Sequence, residues 1–448
     1  MKEKNNKFLI LTAFVAALGG LLFGFDTAVI SGTTPFIQPY FSLNDIALGW
    51  TVSSLLVGCI VGVISSGRPG DLFGRKHTLI VAALLFLISA LGSALSTHLV
   101  YFITFRFLGG VAVGTASMLS PMYISEIAPA NRRGALVSLN QLAIVSGILL
   151  AFFSNYLLAR TGENSWRWMF AVMGMPASLF FITLLFVPES PRWLVQKSKI
   201  DEAYSILKKI NGVDIAKVEL QAIKNSIVQG VKGNYGEVFS KGMRTVLWIG
   251  VLLAVFSQLT GINSIMYYAP IIFKNLGNGT GSALIQTAVI GGVNFLFTIA
   301  AILWIDKWGR KPLLIGGTTG MIISLTVITV AYYFNKLEGY LIFFFILTYI
   351  ASFAASLGPV TWVVVSEIFP NKMRSKAMSV AIVALWSANF LVTLTFPAIL
   401  NRLGGGAAFL IFDIMCVLML IFIINKIPET KGKSLEALEI IMVKMTQK

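Results

Sequence analysis

The sequence predicts an all-α membrane protein: twelve transmembrane helices in two pseudo-symmetric halves of six. Three observations predict it. Of 448 residues, 56% are hydrophobic and only 12% charged, an apolar excess that a water-soluble chain of this size has nowhere to bury. The apolar residues gather in twelve runs of membrane-crossing length, near 8–31, 47–67, 78–96, 98–121, 137–158 and 168–187, then 246–273, 282–305, 312–334, 339–366, 377–400 and 406–425. Three short motifs each occur twice, at offsets of 235, 241 and 240 residues, which is the mark of two parallel repeats.

Taken in order, Lys2, Lys4 and Lys7 precede a first run that continues past Gly20 without a small-residue cleavage pattern. It reads as a retained span rather than a signal peptide. The second run ends in Gly67-Arg-Pro-Gly-Asp-Leu-Phe-Gly-Arg-Lys76, whose Asp-x-x-Gly-Arg-Lys core returns as Asp306-Lys-Trp-Gly-Arg-Lys311. The fourth ends in Ser125-Glu-Ile-Ala-Pro129, with Arg132 and Arg133 behind it, and the tenth in Ser366-Glu-Ile-Phe-Pro370, with Arg374. Pro188-Glu-Ser-Pro-Arg-Trp193 follows the sixth run and Pro428-Glu-Thr430 the twelfth. Residues 188–244 are polar, carry ten Lys or Arg, and show a helical pattern over Asp201–Ile210. Short amphipathic helices under the cytoplasmic face are expected there. The domain organisation is therefore 1–187, a cytoplasmic linker 188–244, a second half 245–427 and a tail 428–448.

The net charge of +16 reads as a topology signal, and nucleic acid is not an expected partner. Assigning the 35 Lys and Arg to alternate sides places 29 with both termini and 5 opposite (Arg160, Arg167, Lys274, Lys336 and Arg402), leaving Arg106 inside a span. By the positive-inside rule, both termini are cytoplasmic. Cys59 and Cys416 lie in apolar runs, and His77 and His98 are isolated near helix ends, so neither disulfide, metal site nor cofactor is expected. The repeated motifs place Asp71, Arg75, Glu126, Arg132 and Arg133 in one charge network, and Asp306, Arg310, Glu367 and Arg374 in another. Pairs at the water edge add only about 0–1 kcal/mol each. Their expected use is a cytoplasmic gate that latches the halves and breaks when the cavity opens inward. Ordinary topology-setting charge is the alternative.

Three ionisable residues fall well inside spans: Asp26, Arg106 and Asp413. A charge at that depth costs on the order of 2.5–3.5 kcal/mol, so each needs a partner or a purpose. Asp26 and Arg106 have opposite signs and lie in the first and fourth spans. The pair can be proton-coupled, loosening when Asp26 is neutralised, or it can be a static bridge. For Asp413, snorkelling to the outer interface is the simplest reading.

The stretch Ser257-Gln-Leu-Thr-Gly-Ile-Asn-Ser-Ile-Met-Tyr-Tyr268 interrupts the seventh run. On an ideal helix Gln258 and Asn263 would point about 140° apart. A local unwinding at Gly261 turns both amides to one side, and interrupted helices at mid-membrane point to transporter binding sites. Asn140 and Gln141, Asn294, Asn389, Trp362 after Gly358-Pro359, Trp386, Phe23 and Tyr268 add amides and aromatic faces. Such a set suits a neutral polyhydroxylated ligand, with hydroxyls on amides and a C–H face on indole. Asn140 and Asn389 are read instead as bridges between helices.

Gly19-Gly-Leu-Leu-Phe-Gly-Phe-Asp26, Arg106 with Gly109-Gly110, Pro188-Glu-Ser-Pro-Arg-Trp193, Gln258-Leu-Thr-Gly-Ile-Asn263, Gly358-Pro-Val-Thr-Trp362 and Pro428-Glu-Thr-Lys-Gly-Lys433 together resemble the sugar porter family of the major facilitator superfamily, over essentially the whole chain. Ala116-Ser-Met-Leu-Ser-Pro-Met-Tyr123 and the Asn140-Gln141 context are similar to bacterial xylose–proton symporters in particular. The resemblance implies sugar contacts from Gln141, Gln258, Asn263, Trp362 and Trp386, with Asn294 beside them. It also implies that Asp26 is the proton-carrying acid and Arg106 its partner. The chain departs from the family pattern at Ser257, where glutamine is frequent, at Leu385, where the xylose symporters have glutamine, and at Leu72, where arginine is usual.

The expected function is a proton-coupled monosaccharide symporter of D-xylose or D-glucose type, multi-pass in a bacterial inner membrane, monomeric, working by alternating access. A facilitative uniporter with the same site is the alternative. A sugar sensor would need a long signalling tail, and 19 residues follow Glu429. No catalytic constellation is visible, so the chain is not expected to be an enzyme.

Overall fold

A bilayer offers no water to backbone N–H and C=O groups, so each apolar run must satisfy its own hydrogen bonds as helix. The computed structural model describes residues 6–129, 132–229, 239–334, 340–369 and 373–431, and no strand occurs among them. The first half comprises α1 (Asn6–Tyr40), α2 (Asp45–Leu72), α3 (Arg75–Leu95), α4 (Leu99–Ile127), α5 (Arg133–Leu158), α6 (Ser165–Ala171) and α7 (Gly174–Phe186). The linker holds α8 (Pro191–Gln196), α9 (Ile200–Asn211) and α10 (Val213–Gln229). Then follow α11 (Lys241–Leu259), α12 (Ile262–Asn275), α13 (Thr280–Trp308), α14 (Arg310–Tyr333), α15 (Leu341–Ala354), α16 (Leu357–Ile368) and α17 (Arg374–Lys426).

Among the described residues, 11 helical stretches are long and apolar enough to cross a membrane. The last of them, Lys376–Lys426, has 51 residues, far beyond the roughly 20 that a hydrocarbon core requires. Gly404 divides it, with φ 83 and ψ 164, a conformation that L side chains avoid. Two spans result, and the total is twelve.

The run boundaries were too short at α1, which carries Pro35 and Pro39 in its last turns. The sixth span is α6 and α7 in series. The tenth is α15 and α16, broken at Ser356 with φ −137 and ψ −90. Pro359 explains that break: it has no N–H to return to Ala355, and it sits in the first turn of α16, where none is needed. Residues 191–229 form the three short helices α8, α9 and α10. Trp193, Leu194, Val195 and Ala203 form their core, with Ile200, Ile206, Leu220 and Ile223 packed on it.

The described residues form two compact units. Unit 1 draws on the described residues within 1–27, 58–148 and 170–232, and unit 2 on those within 28–57, 149–169 and 233–448. In unit 1, α3 packs against both α4 and α7, around Phe86, Phe102, Phe170 and Phe180, all fully buried. In unit 2, α17 packs along α11 and α14.

Candidate functional site

The polar stretch of the seventh run is a broken helix. α11 stops at Leu259, Gly261 takes the left-handed conformation at φ 87, and α12 restarts at Ile262. A broken helix leaves carbonyls without partners, and here the loss is made good locally: Tyr349 donates its hydroxyl to the Thr260 carbonyl at 2.8 Å. The break brings the two amides together, Asn263 Nδ2 donating to Gln258 Oε1 at 2.6 Å. Gln258 Nε2 in turn donates to Ser257 Oγ at 3.1 Å, so the serine that replaces an expected glutamine anchors its neighbour.

The remaining unit 2 candidates sit on helices that pack with this pair, since α16 and α17 lie against α11, and α13 against both α12 and α16. Asn294 is buried at 6% exposure with no hydrogen-bond partner among the described residues. Trp386 is buried and Trp362 half-buried. Tyr268 is fully buried; it stacks on Phe396 and gives its hydroxyl to the Thr393 carbonyl at 3.1 Å, which fixes its ring. In unit 1, Phe23 and Gln141 are both half-buried. A cavity of about 530 Å³ bordered by Phe36, Tyr156, Arg160 and Thr280 holds none of these residues.

Also in unit 1, Asp26 and Arg106 form an ion pair, at 0% and 1% exposure. Arg106 Nη1 also reaches the Asp26 carbonyl at 3.2 Å, and the guanidinium lies 5.3 Å from the Phe170 ring centroid. Only Asp26 Oδ1 is engaged; Oδ2 is buried without a partner among the described residues.

Two readings need correction. Among the described residues, Asn140 and Asn389 do not bridge helices: Asn140 Oδ1 is buried without a partner, and Asn389 accepts from Thr393, one turn along its own helix. The bridging amide is Asn155, whose Nδ2 donates to the Val29 carbonyl at 3.0 Å. Nothing in the pattern distinguished it, since a single amide in an apolar run looks alike whether it bridges or binds. Asp413 does not snorkel. It is 9% exposed and accepts from Thr326 on α14 at 2.8 Å. Among the described residues no ion pair involves Asp413, so Asp413→Asn keeps that bond and removes the ionisable group. The variant should be at least as stable as wild type, by on the order of 1 kcal/mol, with transport unchanged; a fall in sugar uptake at equal expression would contradict this.

The two charge networks each close within one unit. Arg75 pairs with Asp71 and Glu126, both at 3.1 Å, while Arg310 pairs with Asp306 and Glu367, both at 3.0 Å. Arg133 makes neither contact; its charge acts on Glu219 of α10, because α5 begins beside the linker helices. Arg132 is exposed, and the Arg374 side chain lies outside the described residues. Sequence reasoning missed the residues that hold both networks to their helices. Glu189 accepts from the backbone N–H groups of Arg75 and Lys76 at 3.0 and 3.1 Å, and Glu429 from those of Arg310 and Lys311 at 3.1 and 3.0 Å. The signal was present in the repeated Pro-Glu pair at 188 and 428. A carboxylate there answers the free N–H groups and positive end of a helix.

A family model described as "Sugar (and other) transporter" matches residues 12–442. The chain belongs to that sugar transporter family. It is 42% identical over 443 residues to the arabinose-proton symporter of Bacillus subtilis (strain 168), covering 98% of this chain and 96% of that one. It is 43% identical over 485 residues to the D-xylose-proton symporter of Escherichia coli (strain K12), covering 100% and 98%. A solved structure of the MFS (major facilitator superfamily) proton:xylose symporter XylE bound to 6-bromo-6-deoxy-D-glucose matches with a TM-score of 0.84 at 42% identity, over 98% of this chain and 100% of that one. The sugar transporter assignment confirms the resemblance read from the motifs, and with it the twelve-helix fold of a multi-pass membrane protein that is not an enzyme.

The acidic caps of this sugar transporter give it a pH signature. Burial opposes ionisation of Glu429, but the N–H groups of Lys431, Arg310, Lys311 and Thr430 outweigh it and hold the carboxyl below its ordinary range. A value lowered on folding stabilises the folded state at neutral pH, and that contribution fades as pH falls through the carboxylate range. Glu429→Gln should therefore lower thermal stability at pH 7 and flatten its decline toward pH 4; melting curves in detergent that parallel wild type across that range would contradict it.

Proposed function

We propose that the chain is a proton-coupled monosaccharide symporter for a pentose or hexose of the D-xylose, arabinose or D-glucose kind, working by alternating access between two six-helix halves, 1–187 and 245–427. One observation carries the reading: the Asp26–Arg106 pair, wholly buried at membrane depth, where an acid that can take up a proton changes the charge balance between two spans. The named relatives, two of them proton symporters for pentoses, support it. Gln258, Asn263, Asn294, Trp362 and Trp386 are assigned to the sugar, with Phe23 and Tyr268 as aromatic walls; Gln141 is assigned on its sequence context. The networks of Asp71, Arg75 and Glu126, and of Asp306, Arg310 and Glu367, serve as cytoplasmic gates. The charge bias over the loops supports cytoplasmic termini in a bacterial inner membrane, and the carrier acts as a monomer.

Facilitated diffusion is the second reading. Its support is that Arg106 also holds the Asp26 carbonyl and packs on Phe170, as a static bridge would. Uptake of labelled D-xylose, arabinose and D-glucose into proteoliposomes, with and without an inside-alkaline gradient, separates the two. Accumulation above equilibrium only with the gradient supports symport. Equilibration at the same level in both conditions leaves the uniporter. Failure to move any of the three sugars removes the substrate assignment.

A further inference from the structure

Buried hydroxyls in these helices characteristically close onto a carbonyl three or four residues back. Thr27 donates to Phe23, Ser54 to Thr51, Thr78 to Gly74 and Ser96 to Gly92. Six hydroxyls among the described residues, those of Ser89, Ser93, Ser120, Ser264, Thr329 and Thr361, are buried without a partner, and of these Ser89 on α3, at 1% exposure, stands out by its place. Its surroundings give the reason. A Cβ on Gly109 of α4 would stand 2.4 Å from Ser89 Oγ and 2.6 Å from Asp26 Oδ2. Both oxygens therefore flank one glycine, and Asp26 Oδ2 is the oxygen that Arg106 leaves unpaired. Buried polar atoms are usually paired, and a rearrangement that joins these two during function accounts for their placement.

We propose that Ser89 is a positioning residue for the proton on Asp26, its hydroxyl donating to Oδ2 when the carboxylate is ionised, and that Gly109 keeps open the gap across which that bond forms. The inference rests on Asp26 as the proton acceptor. Rotation about χ1 carries a serine hydroxyl between staggered wells without moving the backbone. A donor to the ionised form favours it and lowers the affinity for a proton. The other titratable groups acting here are Arg106 from α4 and Cys59 from α2. From α5, the groups against α1 are Asn140 beside Gly20 and the Ile144 carbonyl beside Gly24, and neither titrates.

The test uses the full chain in proteoliposomes and two readouts: gradient-driven sugar uptake as a function of pH, and sugar exchange at equal pH on both sides. Ser89→Ala should move the pH midpoint of driven uptake to the alkaline side by about half to one unit, a three- to tenfold gain in proton affinity, while exchange stays within about twofold. Ser89→Thr, which keeps the hydroxyl, should return the midpoint to wild type, and Ser89→Cys, a weaker donor of similar size, should fall between. An unmoved midpoint in Ser89→Ala and Ser89→Cys overturns the proposal, as does an equal fall of exchange and driven uptake. Asp26→Asn is run beside them. If it still accumulates sugar, the Asp26 assignment itself fails; if it is uncoupled while Ser89→Ala keeps the wild-type midpoint, only the role of Ser89 fails.

Discussion

Asp26→Asn is expected to abolish gradient-driven accumulation and to spare sugar exchange. One proton entering down an inside-negative potential of ~100 mV releases about 2.3 kcal/mol, and each unit of pH gradient adds about 1.4 kcal/mol. Together, roughly 3.7 kcal/mol supports an accumulation ratio of several hundred, by the tenfold-per-1.4 kcal/mol rule. Asparagine has the shape of aspartate but cannot titrate, so the expected ratio in the variant is one. The competing effect is destabilisation, because removing one partner of a buried ion pair leaves a buried charge that costs about 3–5 kcal/mol. Two contacts of Arg106 survive the substitution, to the Asp26 carbonyl at 3.2 Å and to the Phe170 ring, and the new amide oxygen replaces Oδ1 as an acceptor. The loss of stability should therefore stay below that range, leaving protein that inserts and exchanges. Labelled-sugar counterflow beside driven uptake reads the two effects separately. A variant that still concentrates sugar several-fold would assign coupling to another group, and one that lost exchange in step with accumulation would make the pair structural.

How much of this was legible in the sequence differs by level. Composition and run length were sufficient for twelve spans, because the bilayer admits only helices of that length. The unwinding at Gly261 was legible too: two amides 140° apart on an ideal helix make sense only if the helix stops between them. The Asp26–Arg106 pair followed from charge, since two opposite ions inside a membrane have few other options. What stayed hidden depends on rotation about helix axes and on which neighbour each helix meets. Asn155 bridges and Asn389 does not, Asp413 turns inward to Thr326, and Arg133 acts on the linker helix, all through packing angles that a one-dimensional pattern lacks. Glu189 and Glu429 were visible as a repeat, but their role appears only once the starts of α3 and α14 are found above them.

Gly261→Val is expected to remove sugar binding, with an affinity loss of at least about a hundredfold, because it attacks the break that joins the amides. Valine at φ 87 meets the penalty of the left-handed region, about 1–2 kcal/mol for an ordinary side chain and more for a β-branched one. Its Cβ would also stand 2.4 to 2.5 Å from three atoms of the Phe412 ring. That ring cannot retreat easily: it is buried and stacks on Phe396, which stacks on Tyr268. Overpacking of this kind adds typically about 1–3 kcal/mol. The chain can relieve both by extending α11 into α12, but Asn263 then turns away from Gln258 and the Thr260 carbonyl loses its bond from Tyr349. Gly261→Ala with Phe412→Ala separates the two causes, since it removes the clash and keeps the backbone penalty. The double variant trades the clash for a cavity that costs about 3–5 kcal/mol, so it should gain no thermal stability over Gly261→Ala alone, and it should bind sugar more weakly than wild type. Sugar-dependent shifts in melting temperature measure both quantities in one experiment. If Gly261→Val bound sugar within a few-fold of wild type, the paired amides would not be the site, and the broken helix would serve motion between states rather than recognition.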